Sequence, residues 1–236
     1  MAGKSLRVLW LVFAVLGFAS FAYGQGSASM TLLSGGPYSM NGVYVGPYTG
    51  TINGQNAQIV CDDFKDDSWI NESWTANVTS FSNVGSSSVP KWSSLANSST
   101  LYAEAAWLAT KMFVQANENN ATEGYLSYAL WSLFYPNALS GLNSTQLAGV
   151  NGWLGMIPSG LTPNQYSNFF IYTPDLTKQI TCSGGPCPTI PPQEFFGFVP
   201  VSEGGSALAY LALAGLSCLA AAFLRRRRQV LGREMA

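Results

Sequence analysis

Histidine does not occur in this chain of 236 residues, and only 10% of its residues are charged. The first absence removes the Ser-His-Asp and Cys-His catalytic arrangements, and the imidazole ligands on which most zinc and copper sites depend. An enzyme here would have to work with carboxylates alone, and a metal site with oxygen ligands. Basic residues are also scarce. Between Gln25 and Gly205 stand Lys65, Lys91, Lys111 and Lys178 against eleven acidic residues, a net charge of −7. That balance repels phosphate backbones, so nucleic acid is excluded as a partner. The shortages together argue against an enzyme, and no cofactor or metal is expected.

Cysteine is sparse as well, with four in all. Cys182 and Cys187 bracket Ser-Gly-Gly-Pro, a turn-forming stretch that can bring two thiols together. In an oxidising compartment this predicts a local disulfide, closing so short a loop that it stabilises the domain only modestly. Cys218 lies in an apolar run, where it serves as a small apolar residue. Cys61 is left unpaired.

Long uncharged runs are confined to the two ends. Lys4 and Arg7 precede the apolar stretch Val8 to Phe18, and Ala22-Tyr23-Gly24 follows with small residues at its exit. This order predicts a secretory signal over 1–24, cleaved before Gln25. At the other end nineteen uncharged residues, Ser206 to Leu224, are closed by Arg225, Arg226, Arg227 and Arg228. A helix of that length spans about 28 Å, which predicts one transmembrane helix over 206–224. The arginines would stop transfer and hold the tail 225–236 in the cytoplasm. The exported domain is then 25–199, followed by a short linker, 200–205.

Within that domain the hydrophobic period changes twice. From Ser34 to Phe64 small or polar residues alternate with apolar ones, and Asn53-Gly54 is a hairpin signal between two such runs. Ser73 to Phe81 alternates likewise. Tyr102, Ala105, Ala106, Ala109, Met112 and Phe113 then follow helical spacing, as do Leu126, Ala129, Leu130, Leu133 and Phe134 up to Pro136. Ser144 can cap a third helix running to about Met156. Two short apolar-aromatic strands, "FFIYT" and "EFFGFV", close the domain. The expected class is α+β: a sheet or sandwich-like domain with a helical insert of about three helices. Most of its aromatic residues are assigned to the core.

The acidic segment "CDDFKDD", Cys61 to Asp67, invites two chemical readings. Calcium takes oxygen ligands, but the D-x-D-x-D-G spacing is missing and Lys65 interrupts the run. A solvated acidic turn is the expectation. A glycosidase would need two carboxyls about 5–10 Å apart, which these residues could supply with Glu104 or Glu123. No spacing singles out such a pair.

Two resemblances add to this reading. The tail, with Val199, Pro200, Ser202, Glu203 and Gly204 ahead of the apolar run and the arginine cluster, resembles a PEP-CTERM sorting signal. Glu203 takes the acidic position and Gly204 stands where that motif has its second proline. The resemblance implies an exosortase-like processing enzyme as partner and a transient stay in the inner membrane. The segments "GPYTGTING", "CDDF", "SWTANVT", "YAEAAWL" and "YALWSLF" resemble, more distantly, thioester domains of bacterial surface adhesins. There a Cys is bonded to a Gln side chain. Cys61 matches the first position, and Ser127 occupies the second, so the resemblance implies the scaffold without the covalent bond. The alignment also implies that the side chains of Cys61 and Ser127 face one another closely. The functional expectation is an exported bacterial surface or matrix protein with a structural or adhesive role. A carbohydrate-binding module, contacting extracellular polysaccharide or surface glycan, is the alternative, with a carboxylate-dependent hydrolase behind it.

Overall fold

The described residues form nine short strands: β1 (Gly26–Ser34), β2 (Tyr38–Met40), β3 (Val43–Val45), β4 (Tyr48–Ile52), β5 (Gln55–Cys61), β6 (Glu72–Ser80), β7 (Phe169–Pro174), β8 (Thr181–Cys182) and β9 (Phe195–Phe198). Three helices stand between β6 and β7: α1 (Ser98–Gln115), α2 (Asn120–Phe134) and α3 (Ser144–Gly155). This computed structural model describes residues 26–115, 119–183, 185–187 and 189–198. The chain divides into Met1–Val199 and Pro200–Ala236, and every described residue belongs to the first unit.

The strands correct the expected sandwich. Six of them pair antiparallel in the order β1-β4-β5-β9-β7-β6, and β1 pairs again with β6. The sheet therefore closes on itself as a six-stranded barrel. A sandwich would need two sheets with free edges, whereas closure satisfies the edge groups of every strand in the ring. The decisive strand is β1, which lies outside the stretch where sequence alternation predicts β structure. Met30 pairs with Trp74 of β6 on one side and with Ile52 of β4 on the other. β8 pairs with β6 at Glu72 and Ser73, where β7 has ended.

Residues of even spacing fill the barrel. Met30, Ile59, Trp74, Tyr172 and Phe195 are buried together in its interior. Each such side chain contributes roughly 1.5–3 kcal/mol by leaving water. Gly50 is required here, because a Cβ would lie 2.7 Å from the carbonyl oxygen of Thr31. The alternate residues of β5, β7 and β9, among them Val60, Ile171 and Phe196, point outward into a second core shared with the helices. The helices thus cover one side of the barrel and leave β1, β4 and β6 uncovered.

The Asn53-Gly54 turn has both residues at positive φ, 52° and 78°, as a tight hairpin of this hand requires. α3 is capped by Asn143, not by Ser144. The Asn143 side chain accepts from the Gln146 N–H at 3.0 Å, and Gln146 Oε1 accepts from the Asn143 N–H at 2.9 Å.

No helix among the described residues is long and apolar enough to cross a membrane, so the expected transmembrane helix has no counterpart there. The segment 206–224, Arg225 to Arg228, the leader 1–24 and the sorting motif Val199 to Gly204 lie outside the described residues.

Candidate functional site

Two strands of the barrel end in acidic residues at the same rim. β5 finishes at Cys61, whose side chain points into the barrel, so Asp62 follows on the helix side. β9 begins at Phe195, again inward, and Glu194 precedes it on the helix side. The Asp62 N–H donates to the Glu194 carbonyl at 3.3 Å. Both carboxyls are completely buried.

Glu194 gathers donors from three directions. The Tyr102 hydroxyl of α1 donates to Oε1 at 2.7 Å, the Lys91 backbone N–H donates to Oε2 at 2.9 Å, and the Thr173 hydroxyl of β7 donates to Oε2. Asp62 receives no hydrogen bond on either oxygen. A buried carboxyl without donors is the natural holder of a proton, and one with several donors is the natural holder of charge. Burial, followed by the Glu194 charge, holds the Asp62 carboxyl well above the usual carboxylate range. Burial raises Glu194 too, but its hydrogen bonds from Asp62, Thr173, Lys91 and Tyr102 work against that rise. The donors on Glu194 and their absence on Asp62 favour a proton on Asp62 over one on Glu194. Burial, then the two carboxyls, pushes the Tyr102 hydroxyl up as well.

Asp63 is the neighbouring brace. Its carboxylate pairs with Lys91 Nζ and accepts from the Lys65 N–H at 3.0 Å, and its carbonyl accepts from Gln193 Nε2 at 2.7 Å. Lys91 Nζ also meets Asp66 at 2.6 Å. Burial pulls the Lys91 ammonium down, but its bonds to Asp63 and Asp66 outweigh that and raise it. Burial raises Asp63 despite the lysine.

The expected solvated turn is therefore corrected for Asp62 and Asp63, which are buried. The countercharge of Asp63 is Lys91, from a distant loop, and not Lys65, which sits 5.8 Å over the Tyr135 ring. Among the described residues no group of three Asp, Glu or Cys side chains is gathered as a metal site. Glu104 is half-buried on α1, and Glu123 is buried on α2 beside Gly46. The carboxyl pair that does form, Asp62 with Glu194, is sealed from solvent, and what it links are β5, β7, β9, the Lys91 loop and α1.

Cys61 and Ser127 are not brought face to face. The Cys61 thiol lies in the barrel interior and exchanges hydrogen bonds with the backbone of Asp63, at 3.2 and 3.3 Å. Ser127 lies on the helix side, where its Oγ accepts from the Gly46 N–H at 2.8 Å and lies 3.9 Å from the Met112 sulfur. α2 does reach Cys61 one turn later: Trp131 Nε1 donates to the Cys61 carbonyl at 2.9 Å, and the indole also acts on the thiol. Burial, then the charges of Asp63 and Asp62, raises the thiol well above its ordinary value. Such a thiol is inert.

Cys182 and Cys187 form a disulfide with a Cα separation of 5.3 Å. It anchors the loop after β8, which leads to Gln193 and Glu194.

No protein-family model, curated protein or solved structure matches the chain. Function must be read from its own residues.

Of the residues that build the rim, the sequence reading singled out the Asp62-Asp63 segment and placed Tyr102 on an inward helix face. It missed Lys91, Thr173 and Glu194. Two weak signals existed: Glu194 is the lone charge in the run "PTIPPQEFF", and Lys91 the lone charge in a Ser-rich loop. A charged residue isolated in such surroundings is rarely buried unless it is paired.

Proposed function

We propose that this chain is an exported bacterial surface or matrix protein with a structural or adhesive role, and that it is not an enzyme. The observation that carries the reading is the use made of its buried polar groups. Tyr102 and Glu194 are buried, and with the Thr173 hydroxyl and the Lys91 backbone N–H they spend their bonding capacity on one another, tying α1 and the Lys91 loop to the barrel. The Cys182–Cys187 disulfide supports export, because such bonds persist in oxidising compartments. The absence of histidine and the acidic balance of 25–205 point the same way. On this reading an exosortase-like enzyme processes the chain at Val199 to Gly204, and the released domain acts in the envelope or the extracellular matrix.

Intact mass and N-terminal sequencing of protein from the native host test it. The expected product begins at Gln25 and lacks Arg225 to Arg228. Full-length protein retained inside the cell would overturn the proposal.

A further inference from the structure

On the side of the barrel that the helices leave bare, the outward residues of β1, β4 and β6 carry no charge, and the nearest charged group, Asp175, flanks Thr75 at the β7 edge. Outward residues of β1, β4 and β6 are Ser, Thr and Asn, with Leu33 the one apolar exception. The strand register sets these side chains in rows. Ser73, Thr31, Thr51 and Asn56 stand side by side across β6, β1, β4 and β5. Ser29 and Thr75 continue the arrangement one step along. Thr31 and Ser73 share a hydrogen bond at 2.7 Å, so their hydroxyls are already oriented.

An apolar strip closes this face at the rim. Leu33 is the extra residue of a bulge in β1 against β4, and it faces outward in alternation with the buried Leu32. The Leu32 carbonyl accepts from the Asn71 N–H at 2.7 Å, and this places Ile70 and Trp69 beside the end of β1. On the other flank the Tyr44 ring lies on Gly35, where a Cβ would come within 2.5 Å of Tyr44 Cγ. Leu33, Tyr44, Ile70 and Trp69 are 39%, 52%, 49% and 54% exposed. Trp69 is held by its own turn: its N–H donates to Glu72 Oε2 at 2.9 Å, and its carbonyl accepts from the Glu72 N–H at 2.9 Å.

Resting on the surface-protein reading above, we infer that this face, from Thr51 and Thr31 to Tyr44 and Trp69, binds an uncharged polysaccharide. Hydroxyl and amide side chains both donate and accept, which matches the hydroxyls of a sugar. Exposed aromatic rings offer apolar area to the faces of sugar rings, and few rotatable bonds keep their ordering cost small. An anionic chain would need cations that this face lacks, and so would nucleic acid or a membrane surface. A protein partner fits poorly, because serine is depleted in protein–protein interfaces and this face is built of it. Barrel closure keeps the rows in register before any ligand arrives.

The test is affinity electrophoresis of the full-length chain through gels holding a neutral α-glucan, a neutral β-glucan, a neutral galactomannan or the anionic polymer alginate. At least one neutral polymer is expected to retard the chain, and alginate is not. Trp69→Ala and Tyr44→Ala should each weaken that binding roughly tenfold, as loss of a central aromatic contact does. Thr51→Lys should weaken it comparably by placing a charge in the row. Met156→Ala, on the exposed end of α3, should leave it unchanged, and circular dichroism of every variant should match wild type. Passage through all three neutral gels unretarded overturns the inference. So does retardation that survives all three substitutions on the face, or a dimer that Thr51→Lys dissolves. Surface proteolysis of host cells separates this from the parent reading. A chain at the cell surface that binds no neutral polymer sinks the inference alone, and a chain confined to the cytoplasm sinks both.

Discussion

At the scale of single residues, the Asp62–Glu194 pair makes the sharpest statement, because it couples stability to pH. Asp62 titrates higher in the folded chain than in the unfolded one, so the native state holds more protons through that interval. Stability from this group is fully present below the ordinary carboxylate range and is lost as pH rises through the elevated value. Asp63 and Glu72 are raised by burial and act in the same direction. The groups facing Asp62 are Glu194, Asp63 and, through Glu194, the Tyr102 hydroxyl. The Lys91 ammonium faces Asp63 and Asp66. Asp62→Asn supplies a permanently neutral group of nearly the same shape. Urea unfolding at pH 4, 6 and 8 should show wild type losing stability with rising pH and the variant losing less. At pH 8 the variant should be the more stable of the two. A wild-type curve that climbs from pH 4 to 8 in parallel with the variant would mean that Asp62 is ionised in the native state.

At the scale of elements, α2 makes several polar contacts, and the adhesin likeness assigned one of them, that of Ser127, elsewhere. Ser127 accepts the N–H of Gly46, whose φ of 88° directs that N–H toward the helix. Ser127→Ala leaves a buried donor unsatisfied and should cost about 1–3 kcal/mol in chemical unfolding. Ser127→Gln should form no thioester with Cys61, since Ser127 Oγ is engaged by the Gly46 N–H and the Cys61 thiol by the Asp63 backbone. Intact mass should show no loss of ammonia, and methylamine should not react. The helices themselves were legible because their inward residues recur at helical spacing and Pro136 ends α2. The α3 cap fell one residue early, at Asn143, since Asn and Ser cap almost equally well and only the Gln146 partner distinguishes them. The burial of Asp62 and Asp63 was not legible. Their partners lie 28 and more positions away in sequence, at Lys91 and Glu194, and no local pattern encodes a pairing of that range.

At the scale of the whole molecule the governing fact is closure, and closure was the feature hardest to read. β1 is "GSASMTLLS", in which the inward residues Ala28 and Met30 are small or flexible and the outward residues Ser29, Thr31 and Leu33 include an apolar one. Its alternation is therefore faint, and its two partners are β4 and the distant β6. Closure makes a direct experimental claim about β1. In an open sheet a terminal strand has one unpaired side, and its outward N–H groups exchange with solvent readily. In the closed barrel the N–H groups of β1 are bonded alternately to β4 and to β6. Native-state hydrogen exchange should thus find the amides of Met30 to Leu32 protected as strongly as those of Ile59 to Cys61 in β5. Two substitutions one residue apart sharpen the claim. Met30 is fully buried between Trp74 and Ile52, so Met30→Ala should cost about 2–5 kcal/mol. Ser29 faces outward and is exposed, so Ser29→Ala should stay within about 0.5 kcal/mol of wild type. Rapid exchange throughout β1, together with equal small effects of both substitutions, would open the barrel at the β1–β6 seam. It would also remove the continuous row from Ser73 to Asn56 on which polysaccharide binding depends.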